Sequence, residues 1–195
     1  MVPKVKYRPL ILFLTVLIFG LCLDLWSKHQ VFSALGLPGE YRLEEEPELH
    51  AVYWIVDGFF GFQTSLNEGA LFGMGQGYTT FFAGCAICAL LGICIWLYFF
   101  SNPENVVLPL LLGMLSAGIL GNLYDRLGLP GLIWNYLNSH HELGEPVYAV
   151  RDWILFTCKS WVWPNFNVAD ALLVCGSILL ILYTIFQKES PGNTQ

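Results

Sequence analysis

The stretch from Tyr78 to Phe100 reads YTTFFAGCAICALLGICIWLYFF, 23 residues without a charged side chain. At about 1.5 Å of rise per residue, a helix of that length crosses the ~30 Å hydrocarbon core of a bilayer. Working outward, three more runs match it. Val106 to Tyr124 is again uncharged, Pro9 to Ser27 is broken only by Asp24, and Val168 to Phe186 carries only Asp170. The expectation is four transmembrane helices over 9–27, 78–100, 106–124 and 168–186, in one integral-membrane domain of residues 1–195 with a tail over 187–195. The whole composition agrees. Of 195 residues, 55% are hydrophobic and 12% charged, against about 25% charged in an average soluble domain. The formal net charge of −6 leaves no basic surface for nucleic acid.

The links between these runs set the topology. Ser101 to Asn105 is a short helix–helix connection, whereas Lys28 to Gly77 and Asp125 to Asn167 are long. Four crossings put both long segments on one side and both termini on the other. Lys4, Lys6 and Arg8 precede the first run, and Lys188 follows the last. Basic residues concentrate on the cytoplasmic side, so cytoplasmic termini are expected. The first run resembles a secretory leader in outline but has no small-x-small cleavage site, and is read as an uncleaved span. His50 to Thr64 (HAVYWIVDGFFGFQT) alternates aromatic and β-branched residues around Asp57-Gly58, the pattern of a hairpin. The expected fold is thus all-α within the membrane, with a small extracytoplasmic β-rich segment between helices 1 and 2. Glu44-Glu45-Glu46 and His140-His141 are read as solvated loops, and Ser190 to Gln195 as a disordered tail. Five of the six cysteines (Cys22, Cys85, Cys88, Cys94 and Cys175) lie in apolar runs. They are read as buried small hydrophobes.

The same topology brings Asp24, Asn67, Asp125 and Asp170 to one membrane face. Ionisable groups at a bilayer are costly, and their clustering marks function. Each motif also has a plain structural reading. Asp24 and Lys28 share a helix face at i, i+4, and the plain reading is an ion pair that neutralises both charges at the helix exit, with Lys28 snorkelling outward. Asn67-Glu-Gly69 is either simple turn chemistry or an amide placed beside a bound peptide backbone. Gly113, Ala117 and Gly121 form a small-residue stripe for close helix packing. Asn122 and Asp125 make a polar cluster at a helix end, with Arg126 a possible ion-pair partner of Asp125. Asn167 and Asp170 are spaced as an N-cap and the third residue of a helix. Asp152 stands in Val150-Arg-Asp-Trp-Ile154, just upstream of the last span. The chain has neither a zinc-binding pattern nor a phosphate loop, and no metal or cofactor is expected. What remains is carboxylates among Asn, Lys and Arg. Two close carboxylates share a proton, so that one serves as base toward water and the other as acid toward a carbonyl.

Asp24-x-x-Ser-Lys28, Asn67-x-Gly-x-x-Phe72, Gly121-Asn122-x-x-Asp125-Arg126 and Asn167-x-Ala169-Asp170 together resemble the lipoprotein signal peptidase family, bacterial membrane aspartyl proteases also called signal peptidase II. The resemblance covers about residues 9 to 186. It implies an endopeptidase of the bacterial inner membrane that removes the signal peptide of a diacylglyceryl-modified prolipoprotein, cutting before the modified cysteine. It implies no cofactor, a site at the extracytoplasmic face, and membrane lipids and lipid-modified prolipoproteins as partners; one chain holds a full set of site residues, so function as a monomer is expected. The catalytic pair carries over to Asp170 and Asp152. Asp24, Lys28, Asn67, Gly69, Asn122, Asp125, Arg126, Asn167 and Ala169 carry over as supporting or substrate-binding residues. Two departures stand out. Arg151 precedes Asp152 where the family segment is apolar, and the interval from Asp125 to Asp152 is longer than usual. Asp125 therefore stays as the alternative second carboxylate. A proton-coupled transporter and a scaffold without chemistry are the competing readings. The first predicts charged groups spread through the membrane depth, and the second predicts that Asp152 and Asp170 are dispensable.

Overall fold

Apolar runs of this length satisfy their backbone hydrogen bonds within a bilayer only as helices or closed barrels, and this chain forms helices. In the computed structural model the described residues are 7–38, 52–69, 77–100, 102, 104–135 and 141–188. Glu44-Glu45-Glu46, His50, Phe72, His140 and the tail from Ser190 lie outside them. Four helices are long and apolar enough to cross a membrane. They are α1 (Tyr7–Leu35), α2 (Thr79–Phe100), α3 (Val107–Arg126) and α4 (Val168–Lys188). Three match the expected spans to within about two residues at each end. The first runs on past Ser27 to Leu35. No helix-breaking residue intervenes until Gly36, whose φ of 72° and N–H to the Phe32 carbonyl (3.0 Å) end the helix in the left-handed manner glycine permits. Asp24 and Lys28 consequently sit inside a continuous helix, not at its exit.

α3 is the central helix, packed against α1, α2 and α4. Its small residues make that possible. A Cβ at Gly113 would stand 2.8 Å from the Phe13 carbonyl oxygen of α1, and one at Gly118 2.5 Å from the Ala169 carbonyl oxygen of α4. Ala117 is fully buried between its neighbours. α2 lies at the outside, with only Ala83 buried. The cysteines differ from expectation. All six are free and exposed on the protein surface, so those on the spans lie on the outward faces of the helices.

The two long segments meet in one antiparallel sheet of order β1-β2-β3-β4. β1 (Tyr53–Val56) and β2 (Phe60–Asn67) are the expected hairpin. β3 (Val150–Cys158) and β4 (Trp161–Phe166) come from between α3 and α4. The sheet is therefore not confined to the segment between helices 1 and 2. The second hairpin turns through Lys159, a non-glycine residue at φ 57°, and carries Pro164, which an edge strand such as β4 tolerates. Ser65 pairs with Asp152 and Asn67 with Val150 across β2 and β3. Trp153 packs with Phe32 and Leu37 beneath the sheet. This packing joins the start of β3 to the end of α1.

Candidate active site

Five elements deliver the polar residues of the motifs. Asp24 and Lys28 come from α1, Asn67 and Gly69 from the end of β2, Asn122, Asp125 and Arg126 from the last turns of α3, Asp152 from β3, and Asn167 to Asp170 from the start of α4. Asp24, Lys28, Asp125 and Asp152 are at most 2% exposed, as are Asn167 and Ala169. Buried polar groups at this density persist only when hydrogen-bonded or ion-paired, and here they are.

The start of α4 is held by two side chains. Asn167 Oδ1 accepts the Asp170 backbone N–H at 2.9 Å, and Asp170 Oδ2 accepts the Asn167 backbone N–H at 3.3 Å. This is the reciprocal arrangement of a capping box. Asp24 Oδ1 accepts the Ala169 backbone N–H at 2.8 Å, so a carboxylate from α1 also serves the positive end of α4. Ala169 is fully buried, and Gly121 facing it has no room for a side chain. A Cβ added at Gly121 would lie 3.1 Å from the Ala169 Cβ and 2.4 Å from Asp24 Oδ2.

Asparagines bridge the carboxylates. Asn167 Nδ2 donates to Asp152 Oδ1 at 2.6 Å and to Asn122 Oδ1 at 3.2 Å. Asn122 Nδ2 donates to Asp170 Oδ1 at 2.7 Å. Asn67 Nδ2 donates to Asp152 Oδ2 at 3.3 Å, while its Oδ1 accepts the Gly69 N–H at 3.0 Å. Burial, and then the negative charge of Asp170, push the Asp152 carboxyl well above its ordinary value, against the hydrogen bonds from Asn167 and Asn67 and the charge of Lys28. Burial and the nearby charge of Asp170 therefore favour the protonated form of Asp152.

Behind this pair lies an ionic network. Lys28 Nζ is 2.8 Å from Asp24 Oδ2, 3.0 Å from Asp125 Oδ2, 3.2 Å from Asn122 Oδ1 and 3.3 Å from the Gly121 carbonyl oxygen. Lys28 is fully buried and does not snorkel. Asp125 pairs with Lys28 and with Arg151, whose Nη2 is 2.8 Å from Asp125 Oδ1. Arg126 instead donates to the Gly69 carbonyl oxygen at 2.8 Å and lies over the Phe82 ring. The polar cluster expected at the end of α3 is therefore divided. Asn122 joins the carboxylates, Asp125 the network behind them, and Arg126 the turn after β2.

A cavity of about 680 Å³ opens beside this cluster. Asn67, Asn122, Arg126 and Asp170 line it together with apolar residues that include Trp163 and Leu173. Asp152 sits one hydrogen bond behind that wall, through Asn67. Arg151 and His141 escaped the sequence reading as parts of this architecture. His141 is not a solvated loop residue. It contacts Glu68 and Glu145 and stacks on Trp134 with ring centroids 4.5 Å apart. The one hint in the sequence for Arg151 is a charge where an apolar residue was expected.

Comparison with known proteins agrees with this arrangement. A family model described as signal peptidase (SPase) II matches residues 16–186. The lipoprotein signal peptidase of Rhodopirellula baltica is 41% identical over 184 residues, 92% of this chain and 74% of that protein. The one from Symbiobacterium thermophilum is 32% identical over 143 residues, 72% of this chain and 80% of that protein. A bacterial membrane enzyme solved by the in meso method at 2.3 Å resolution shares the fold, with a TM-score of 0.71 at 20% identity, covering 94% of this chain and 93% of that one. The family is one of peptidases, which sets aside the transporter and scaffold readings. This chain belongs to the signal peptidase II family.

Proposed function

We propose that this chain is an aspartic endopeptidase that removes the signal peptide from diacylglyceryl-modified bacterial prolipoproteins, cutting before the modified cysteine, with Asp152 and Asp170 as its catalytic pair. The observation that carries the reading is the bridging of these two carboxyls. Asn167 holds Asp152 and caps Asp170, and Asn122 holds Asp170. Asp125 is the weaker choice for the second carboxylate, because Lys28 and Arg151 already engage both of its oxygens.

The chemistry follows from the charge state. With one proton on the pair, Asp152 is the protonated member, since burial and the charge of Asp170 favour its acid form. Asp170, on the cavity wall, takes a proton from water as the water attacks the scissile carbonyl carbon. Asp152 gives its proton to the carbonyl oxygen, forming a tetrahedral diol. Collapse breaks the C–N bond. The proton then on Asp170 goes to the leaving amine of the lipid-modified cysteine, and the carbonyl re-forms as a carboxylic acid as its hydroxyl proton returns to Asp152. Asn67 and Arg126 stand where they can hold the substrate backbone. Both acyl chains and the signal helix remain in lipid, so partition into the bilayer contributes much of the binding. Cytoplasmic termini, with the site at the extracytoplasmic face, are the orientation that Lys4, Lys6 and Arg8 favour. One chain supplies every residue invoked, consistent with a functional monomer.

The test is a gel-shift assay in detergent on a diacylglyceryl-modified prolipoprotein, comparing wild type with Asp125→Asn, Asp152→Asn and Asp170→Asn. The expected result is signal-peptide release by wild type, with turnover abolished in folded Asp152→Asn and Asp170→Asn. Turnover by Asp152→Asn, with its loss in Asp125→Asn, would reassign the pair.

A further inference from the structure

Arg151 immediately precedes Asp152 on β3 and is 5% exposed. Successive side chains of a strand point to opposite faces, so Arg151 turns away from the face that carries Asp152 and toward α1 and α3. There it grips one carboxylate three times. Its Nε donates to Asp125 Oδ1 at 2.9 Å, its Nη2 lies 2.8 Å from the same oxygen, and its backbone N–H donates to Asp125 Oδ2 at 3.1 Å. The guanidinium carbon lies 5.9 Å from the centroid of the Phe32 ring.

The contacts continue from Asp125. Its Oδ2 is 3.0 Å from Lys28 Nζ, Lys28 Nζ is 3.2 Å from Asn122 Oδ1, and Asn122 Nδ2 holds Asp170 Oδ1 at 2.7 Å. A buried path thus runs from the backbone that carries Asp152, behind the carboxylates, to Asp170. The charges on it balance, with Arg151 and Lys28 against Asp24 and Asp125. Without Arg151, Lys28 alone faces two carboxylates, and the start of β3 keeps one backbone hydrogen bond as its tether to α3. Buried ion pairs are weak sources of net stability, and a role in fixing one arrangement is the better reason to keep one. Arg151 is not among the residues lining the 680 Å³ cavity.

We propose that Arg151 is a positioning residue for the reaction: its grip on Asp125 sets where β3 presents Asp152 relative to Asp170. The inference rests on the reading of Asp152 and Asp170 as the catalytic pair.

The experiment measures kcat, KM and the pH profile of prolipoprotein cleavage for the full chain in detergent, with thermal stability measured in parallel. The variants are Arg151→Leu, Arg151→Lys and Asp152→Asn. The expected result for Arg151→Leu is at least a tenfold fall in kcat, KM within twofold, and displaced limbs of the pH profile, because a pair held at a changed separation shares its proton differently. A smaller pool of folded enzyme lowers the apparent kcat but leaves those limbs in place. Arg151→Lys retains the charge without the fork and should recover part of both kcat and profile. It also decides the matter if Arg151→Leu does not fold, since the loss of fork geometry alone must then displace the limbs. A kcat within twofold of wild type, or unmoved limbs at any kcat, would overturn the proposal. Asp152→Asn separates the two levels. Its turnover would sink the catalytic pair itself, whereas a dead Asp152→Asn beside a normal Arg151→Leu sinks only the role of Arg151.

Discussion

Asn167 Nδ2 lies 2.6 Å from Asp152 Oδ1, joining the first residue before α4 to the middle of the sheet. The other end of the same amide accepts the backbone N–H of Asp170 at 2.9 Å. One side chain therefore starts a helix and holds both carboxyl-bearing residues in a fixed relation. Under the proposed roles of Asp152 and Asp170, helix capping and catalysis do not compete, because the cap is what immobilises the pair.

Replacing Asn167 should separate these effects. Asn167→Ala loses a cap worth about 1 kcal/mol and should lower the melting temperature modestly. It also frees Asp152, and a misplacement of about 1 Å near the chemistry costs roughly 100-fold in rate. Asn167→Ser keeps a capping oxygen but cannot reach Asp152. The expected outcome is near-normal stability with kcat still lost. Thermal denaturation and cleavage kinetics of the two variants check this, and full activity in Asn167→Ser would show the bridge to be idle.

Asp152 has a stability signature of its own. Its carboxyl is pushed up by burial and by Asp170, so between the ordinary carboxylate value and this raised one the folded state binds more protons than the unfolded state. Stability then falls as pH rises through that window. Asp152→Asn removes the titration, so at pH 7 the variant should melt at or above wild type despite being inactive. The gap should close as pH drops toward the ordinary carboxylate range. Melting curves from pH 4 to 8 test the sign, and a variant less stable than wild type at pH 7 would contradict it.

Gly121 is fixed by a close approach rather than by a turn. A Cβ there would stand 2.4 Å from Asp24 Oδ2, the carboxylate that pairs with Lys28 and serves the Ala169 N–H. Gly121→Ala must displace Asp24 or separate α1 from α3, at about 1–3 kcal/mol. Gly92 has open space around it and faces outward on α2, so Gly92→Ala should leave stability within error. The comparison of the two by thermal denaturation in detergent tests whether space, and not glycine as such, decides.

The membrane spans were legible because apolar length is a property of single segments. The cap at Asn167 was legible because its spacing is local. The expected first span ends at Ser27, whereas nothing from Lys28 to Leu35 breaks a helix and α1 stops only at Gly36. The β3–β4 hairpin carries little local signal, because its turn, Lys159-Ser160, lacks the usual glycine or asparagine and Pro164 lies in a strand that proves to be an edge. The partners of Lys28 and Asp125 were beyond local reading. Asp125 and Arg151 are 26 residues apart and Lys28 and Asn122 are 94 apart, and adjacency suggested Arg126 where the fold supplies Arg151.

Lys28 gives the most severe expected loss. Its ammonium is fully buried against Asp24, Asp125, Asn122 and a backbone carbonyl. Lys28→Met keeps most of the volume but leaves Asp24 without a cationic partner and Asp125 with Arg151 alone. Removing one partner of a buried pair costs about 3–5 kcal/mol, a large part of the stability of a domain this size. Asp24→Asn combined with Lys28→Met removes the stranded charge and still accepts the Ala169 N–H through the amide oxygen. The double variant should recover much of the stability that Lys28→Met loses, although kcat should stay low because Asn122 lacks the ammonium on its carbonyl oxygen. Equal stability of the single and double variants would mean that Asp24 is not held by Lys28 in the folded protein.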